Sequence, residues 1–182
     1  ECYKIKGVQK GIVIDIGARG DFEGYWDILK DQVNLIGFEP DRQECERINE
    51  RLKGTNKKVY PVALFKNSGK YKFYETEYPA SSGLFPPDIS IVSRFPDEKH
   101  LAIKKVSEIT TVGFDEFINT NSIPDVDFIK LDTEGCELDI LESAATALNK
   151  SVLGISCETM FHPWHLNQKP FSDLDHFLRS RG

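Results

Sequence analysis

The chain has 182 residues, a formal net charge of −6 and 40% hydrophobic residues, which is the composition of an ordinary globular protein. A chain of this length buries a continuous core as one domain, residues 1–182, without disulfides or metal staples. The negative charge, with no basic stripe, excludes general attraction to nucleic acid, and no apolar run has the length of a membrane span.

Five apolar runs rich in β-branched residues predict strands. The runs cover residues 11–17, 34–40, 58–65, 126–133 and 151–158. Most of them lack a polar alternation, which indicates strands that are covered on both faces. Helical patterns lie between the runs, so strand and helix alternate along the chain. Right-handed crossovers then predict an α/β fold with a doubly wound, mainly parallel sheet of the Rossmann-like kind.

Three helices are predicted from the spacing of apolar residues. The first follows Asp41, a suitable N-cap, and the second follows the turn at Gly135. The apolar stripes are Cys45, Ile48 and Leu52 in the first helix and Leu138, Leu141, Ala145 and Leu148 in the second. The third helix is predicted over residues 172–181.

The first predicted strand ends in a glycine turn at residues 17–20, and the second ends at Glu39. Such a turn lets the backbone approach a ligand, and a carboxylate at the tip of the next strand accepts hydrogen bonds from two ribose hydroxyls. The turn lacks the Gly-x-Gly-x-x-Gly spacing that makes room for a pyrophosphate. Asp15 suits a ligand that carries an amine, which favours S-adenosylmethionine. The residues assigned to this cofactor site are Asp15, Gly17, Ala18, Arg19, Gly20, Glu39 and Pro40.

Residues 67–108 interrupt the alternation of strands and helices. Residues 71–77 form a predicted hairpin strand, and much of the rest is rich in proline, serine and glycine. A long segment of this kind inside a compact domain is usually functional or disordered. We interpret it as a lid or an insertion that faces the substrate, with a passive excursion as the alternative.

The segment Asp-Val-Asp-Phe-Ile-Lys-Leu-Asp-Thr-Glu-Gly-Cys-Glu at 125–137 closes the fourth predicted strand. With Ile-Asp-Ile-Gly-Ala, Gly-Phe-Glu-Pro-Asp and Pro-Val-Ala-Leu at 61–64, it makes nearly the whole chain resemble the FkbM family of S-adenosylmethionine-dependent methyltransferases. The resemblance implies a seven-stranded methyltransferase sheet and methylation of a hydroxyl, with sugars and polyketide-type small molecules among the acceptors. It also places Ala63 and Leu64, at the end of the third predicted strand, beside the adenine.

The chain departs from the family pattern in two places. Arg19 stands where the family often has asparagine, and its guanidinium is expected to meet the methionine carboxylate or to point to solvent. No sixth strand and no antiparallel seventh strand are found, so we expect a sheet that lacks the last strands. The chain also begins at Glu1 rather than at methionine, which indicates a piece of a longer protein.

Direct methyl transfer needs a group that removes the proton of the acceptor. Asp132 is the first candidate for this base or for orienting the acceptor, and it is also assigned to the cofactor site. Glu134 is the second candidate. Lys130 lies two residues before Asp132, on the same side of the strand, and is placed to pair with it. In the alternative interpretation, these three side chains only satisfy one another and cap the following helix.

His162 and His165 follow Glu158 in a His-Pro-Trp-His segment, and a carboxylate with two histidines is a familiar set of metal ligands. The Pro-Trp pair between the histidines argues against a helical turn that presents both rings, so no metal site is predicted. We expect this loop, with Trp164, to form a wall of the acceptor pocket. One of the histidines is then an alternative base.

Four scattered cysteines and a start that resembles no secretion signal predict a reducing, cytoplasmic environment. The cysteines are Cys2, Cys45, Cys136 and Cys157. Two other functions remain open for the same sheet. One is a nicotinamide-dependent oxidoreductase, against which the missing glycine pattern counts, and the other is a methyltransferase-like binding module without catalysis.

Overall fold

The computed structural model describes residues 10–20, 22, 24–29 and 32–181, so Cys2 lies outside the described residues. The strands are β1 (Gly11–Ile16), β2 (Val33–Phe38), β3 (Lys57–Tyr60), β4 (Ala63–Leu64), β5 (Gly69–Thr76), β6 (Ile103–Val112), β7 (Phe128–Leu131) and β8 (Gly154–Cys157). The α-helices are α1 (Arg42–Arg51), α2 (Ile89–Val92), α3 (Phe114–Thr120), α4 (Glu137–Ser143), α5 (Ala145–Lys150) and α6 (Phe171–Arg179). Short 3-10 helices cover Gly24–Leu29, Pro79–Ser81 and Pro96–Lys99.

Five parallel strands form the central sheet in the order β3-β2-β1-β7-β8, which confirms the predicted α/β fold with a mainly parallel sheet. The strand order reverses between β1 and β7. Ile16 is paired with Phe38 on one side and with Leu131 on the other. The residues that follow β1, β2 and β7 therefore meet at one edge, which is where open α/β sheets bind ligands.

Each face of the central sheet carries its own apolar cluster, because successive side chains of a strand point to opposite faces. Ile14 of β1 belongs to the cluster that contains Leu141 of α4. Its neighbour Val13 belongs to the other cluster, with Ile48 of α1. The continuous apolar pattern of β1 thus reflects burial on both faces.

The prediction of one strand over residues 58–65 is wrong. β3 ends at Tyr60, and β4 belongs to a second sheet with the order β4-β6-β5. Pro61 lies at the break and has no amide hydrogen for a ladder. The amide of Val62 donates to the carbonyl of Tyr60 at 2.9 Å in a tight turn. The two residues of β4 therefore do not end the third strand of the central sheet.

The segment 67–108 contains more regular structure than the sequence indicates. The predicted hairpin strand is present as β5, and β6 pairs with it in antiparallel register. β6 has the sequence Ile-Lys-Lys-Val-Ser-Glu-Ile-Thr-Thr-Val, and its first four residues are exposed. Because solvent covers most of this strand, its charged residues hide the pattern that identifies the buried strands.

The three predicted helices are present, one of them interrupted, whereas α2 and α3 were not predicted from the sequence. Asp41 caps α1 as predicted, accepting from the amides of Gln43 and Glu44 at 3.0 and 3.2 Å. The helix predicted after Gly135 is interrupted at Ala144, where α4 ends and α5 begins. None of the helices in the described ranges has the length and apolar character to cross a membrane.

Candidate active site

A cleft lies at the edge of the central sheet where β1, β2 and β7 end. The predicted site residues that line it are Gly17, Arg19, Glu39, Pro40, Ala63, Leu64, Asp132 and Glu134. Residues 79–84, here called the cover segment, also contribute to the lining. The interval that interrupts the strand and helix pattern therefore does reach the cleft. The sequence contains a signal for the cover segment, since proline, serine and glycine are concentrated there.

Gly17 forms the turn after β1 in a conformation that favours glycine, with a φ angle of +84°. A Cβ atom at this position would lie 1.9 Å from the carbonyl oxygen of Asp132, so the ends of β1 and β7 approach closely. The amides of Gly17 and Ala18 both donate to the carbonyl of Phe38, at 3.1 and 3.0 Å. These bonds attach the turn to β2, with Gly17 at the cleft and Ala18 buried.

Glu39 is 4% exposed and follows β2 directly. Its Oε1 accepts from the amide of Asp41 at 2.8 Å, and its Oε2 lies 3.6 Å from Nε of Arg19. Burial raises the pKa of Glu39, although the Asp41 amide and Arg19 oppose the shift. Arg19 also donates to the Asp41 carboxylate at 2.8 Å. The guanidinium of Arg19 therefore pairs with Glu39, the carboxylate predicted to bind the ribose. The amide of the next residue, Gly20, donates to the carboxylate of Glu44 in α1 at 3.1 Å.

Asp15 and Lys130 are predicted site residues that do not belong to the cleft lining. Asp15 is 1% exposed, and its Oδ1 lies 3.1 Å from Nζ of Lys130. The same ammonium lies 3.5 Å from Oδ2 of Asp132, so the predicted pair is present and extends to β1. Burial opposes the charged form, but Asp15 and Asp132 raise the pKa of Lys130. The sequence led us to expect that Asp15 faces the amine of a ligand. The structure shows that it faces the ammonium of Lys130 instead.

Glu134 lines the cleft, and both His165 and Glu158 lie near it. Nε2 of His165 lies 4.0 Å from Oε2 of Glu134. Burial raises the pKa of Glu134 to about 8, with additional contributions from the carboxylates of Glu158 and Asp132. Burial and Asp132 likewise raise the pKa of Glu158 to about 7. Glu134 after β7 and Glu158 after β8 therefore hold their protons more tightly than free carboxyl groups do.

Glu137 holds the turn after β7, a role that we did not predict for it. Its Oε1 accepts from the amide and the hydroxyl of Thr133, at 2.9 and 3.0 Å, and from the amide of Gly135 at 3.1 Å. The N-cap residue of α4, Cys136, has no side-chain capping bond, so the charged residues before it do not cap the helix, although the Lys130–Asp132 pair of that alternative interpretation is present. The feature of the sequence that points to the role of Glu137 is its carboxylate in the first turn of the predicted helix.

The two histidines of the His-Pro-Trp-His segment occupy different environments, since His162 is exposed and His165 is buried. Trp164 stacks on Phe95, with ring centroids 4.8 Å apart. Within the described ranges, no three His, Cys, Asp or Glu side chains are grouped to hold a metal ion.

Residues 15–182 match the family model described as the methyltransferase FkbM domain. The chain belongs to the FkbM methyltransferase family. Its fold is similar to that of methyltransferase FkbM from Methylobacillus flagellatus KT, with a TM-score of 0.60 and 19% sequence identity. The similarity covers 94% of this chain and 37% of that one, so the chain spans well under half of that relative. No curated protein matches the sequence at a significant level.

The acidic groups of this FkbM domain predict a stability that depends on pH. Glu134 has a pKa of about 8 in the folded state, above its ordinary value of 4.5, so ionisation destabilises the fold. Its stabilising contribution is complete below pH 4.5 and is lost as the pH rises through 8. We expect Glu134→Gln to be more stable than the wild type by about 1–2 kcal/mol at pH 9 and equal to it near pH 4.5.

Urea unfolding of both proteins across that pH range measures the difference. Glu46→Gln, at an exposed position of α1, is the control and should follow the wild type at every pH. A constant difference between Glu134→Gln and the wild type would contradict the prediction.

Proposed function

We propose that the chain is an S-adenosylmethionine-dependent methyltransferase that methylates a hydroxyl of a small molecule or a carbohydrate. The observation that carries the proposal is the place of Glu39, a buried carboxylate that lines the cleft beside the turn at Gly17. A carboxylate at the end of the second strand is placed to accept hydrogen bonds from two ribose hydroxyls. Membership of the FkbM family supports a methyl donor of this kind.

The lining of the cleft suits the parts of the cofactor. Ala63 and Leu64 offer a buried apolar wall for the adenine, and Glu39 is available to the ribose. Asp132, directly after β7, offers negative charge to the cationic end of the molecule. When bound, S-adenosylmethionine supplies a methyl group that its sulfonium charge already activates.

The protein then has to orient the acceptor hydroxyl and take its proton. Asp132 has 47% of its side chain exposed and pairs with Lys130, which suits it to orient the acceptor. Glu134 has 21% exposed and a pKa raised to about 8 by burial, which makes it a stronger base once it is ionised. We therefore propose that Glu134 accepts the proton of the acceptor hydroxyl and that Asp132 orients the acceptor.

Calorimetric titration with S-adenosylmethionine and S-adenosylhomocysteine tests the proposal. We expect both to bind in the micromolar range, and NADH to give no heat of binding. A folded sample that binds neither sulfur nucleoside would overturn the proposal, and binding of NADH alone would favour the oxidoreductase. Donor binding without transfer to any hydroxyl of a broad acceptor panel would favour a non-catalytic module.

Glu39→Ala should weaken binding of S-adenosylmethionine by about 1–3 kcal/mol, the usual loss when hydrogen bonds to a charged group disappear. That change corresponds to a factor of roughly 5 to 150 in the dissociation constant, measured by the same calorimetry. Glu46→Ala, on the exposed side of α1, is the matched control and should leave the affinity unchanged. Wild-type affinity in Glu39→Ala would show that the ribose binds elsewhere.

A further inference from the structure

His165 is a buried histidine whose ring makes no hydrogen bond with the described residues. The residue is 4% exposed, and both Nδ1 and Nε2 lack a hydrogen-bond partner there. Buried polar groups are normally satisfied, and each exception calls for a physical explanation. Its Nε2 lies 4.0 Å from the carboxylate of Glu134, and the side chain of Gln168 is another polar group near the ring.

The backbone around His165 is held from two sides. His165 forms an isolated antiparallel bridge with Pro87, and the amide of Asp88 donates to the carbonyl of Trp164 at 2.8 Å. On the other side, Oε1 of Gln168 accepts from the amides of Trp164 and His165, at 2.7 and 3.2 Å. The backbone that carries the ring is therefore held by the loop after β8 and by the chain between β5 and β6, through contacts that do not involve Glu134.

Glu134 is itself held in an unusual backbone conformation. Its φ angle is +58°, a region that non-glycine residues rarely adopt and that persists only where the surroundings enforce it. The cover segment packs against it, since a Cβ atom on Gly83 would lie 3.3 Å from the Cβ of Glu134. Glu134 thus lines the cleft and also lies 4.0 Å from His165.

We propose that His165 is a positioning residue that donates a hydrogen bond from its imidazole to the Glu134 carboxylate and so prepares Glu134 to accept the proton of the acceptor hydroxyl. An approach of about 1 Å converts the present separation into an ordinary hydrogen bond. In the proton transfer, the O–H bond of the acceptor breaks, its electron pair stays on the acceptor oxygen and the proton binds Glu134. The inference rests on the proposed methyl transfer.

The charges around Glu134 explain why such a donor is needed. Asp132 after β7, Glu137 of α4 and Glu158 after β8 all disfavour its ionised form. The ammonium of Lys130 in β7 is engaged with Asp15 and Asp132. Burial lowers the pKa of His165, with Gln168 acting in the opposite direction, so the imidazole stays neutral and keeps one N–H to donate.

Carbon-13 NMR of protein labelled at the glutamate carboxyl carbons measures the titration of Glu134 directly. Its signal is assigned as the one that disappears in Glu134→Gln. We expect His165→Leu to raise the titration midpoint by about one pH unit, because the carboxylate loses a donor. His165→Gln keeps an N–H donor and should restore most of the wild-type value. His162→Leu, at an exposed position of the same loop, should change nothing.

An unchanged midpoint in folded His165→Leu would overturn the proposal. If that variant does not fold, the ring-proton NMR signals of His165 decide, because they should shift as Glu134 ionises near pH 8 and lose that shift in Glu134→Gln, whereas ring signals that do not respond to Glu134 would exclude the pair. Neither titration requires the cofactor. A chain that shows the coupling but binds no S-adenosylmethionine would overturn the methyltransferase proposal, whereas binding without coupling would overturn the His165 assignment.

Discussion

Replacing Lys130 with methionine should lower the free energy of unfolding by about 3–5 kcal/mol, the usual effect of breaking a buried ion pair. Nζ of Lys130 lies 3.1 Å from Asp15 and 3.5 Å from Asp132. Asp15 is 1% exposed, so the substitution removes a counterion from a carboxylate that water hardly reaches. Urea unfolding at pH 7, followed by circular dichroism, measures the change.

Lys150→Met is the matched control for this experiment. Lys150 pairs with Asp125 at the surface, where an ion pair contributes less than about 1 kcal/mol. Combining Asp15→Asn with Lys130→Met should recover part of the lost stability, because the buried charge is removed as well. If Lys130→Met and Lys150→Met destabilise the protein equally, the pair with Asp15 is not buried in solution.

Gly17→Ala should destabilise the protein by about 2–5 kcal/mol and abolish binding of S-adenosylmethionine. The φ angle of +84° disfavours a side chain, and the new Cβ atom would lie 1.9 Å from the Asp132 carbonyl oxygen. β1 and β7 would have to separate at the point where the cleft forms. Urea unfolding and calorimetric titration measure the two effects.

Gly54→Ala separates the two causes of this loss. Gly54 has a φ angle of +80°, but a Cβ atom there would meet nothing within 4 Å. Its replacement therefore carries the backbone strain alone, about 1–2 kcal/mol, and should leave cofactor binding intact. Equal losses in the two variants would mean that the ends of β1 and β7 do not approach as closely as the structure shows.

The central sheet was predicted well because burial on both faces leaves a continuous apolar pattern in the sequence. β1, β2, β7 and β8 lie within or close to the predicted runs. β6 was missed for the opposite reason, since an exposed strand tolerates charge at most positions. The third predicted strand failed at Pro61, where an apolar run continues although the ladder cannot.

The candidate site was also predicted only in part from the sequence. Glu39 and Asp132 were predicted because each follows an apolar run directly, and strand ends of a parallel sheet meet at one edge. The contact of His165 with Glu134 was not predictable from a pattern. The two residues are far apart in sequence, and the left-handed backbone at Glu134 leaves no trace in its residue type.

The sequence by itself determined most of the segments that form the parallel sheet, where the glycine turn lies and which carboxylates follow the strands. These properties depend on hydrophobic periodicity and on local backbone preferences, which act over a few residues. Only the tertiary structure decided that Asp15 faces Lys130, that Arg19 pairs with Glu39 and that the cover segment reaches the cleft. Such contacts depend on the register between strands and on the path of long connections, because those decide which distant side chains share one buried space.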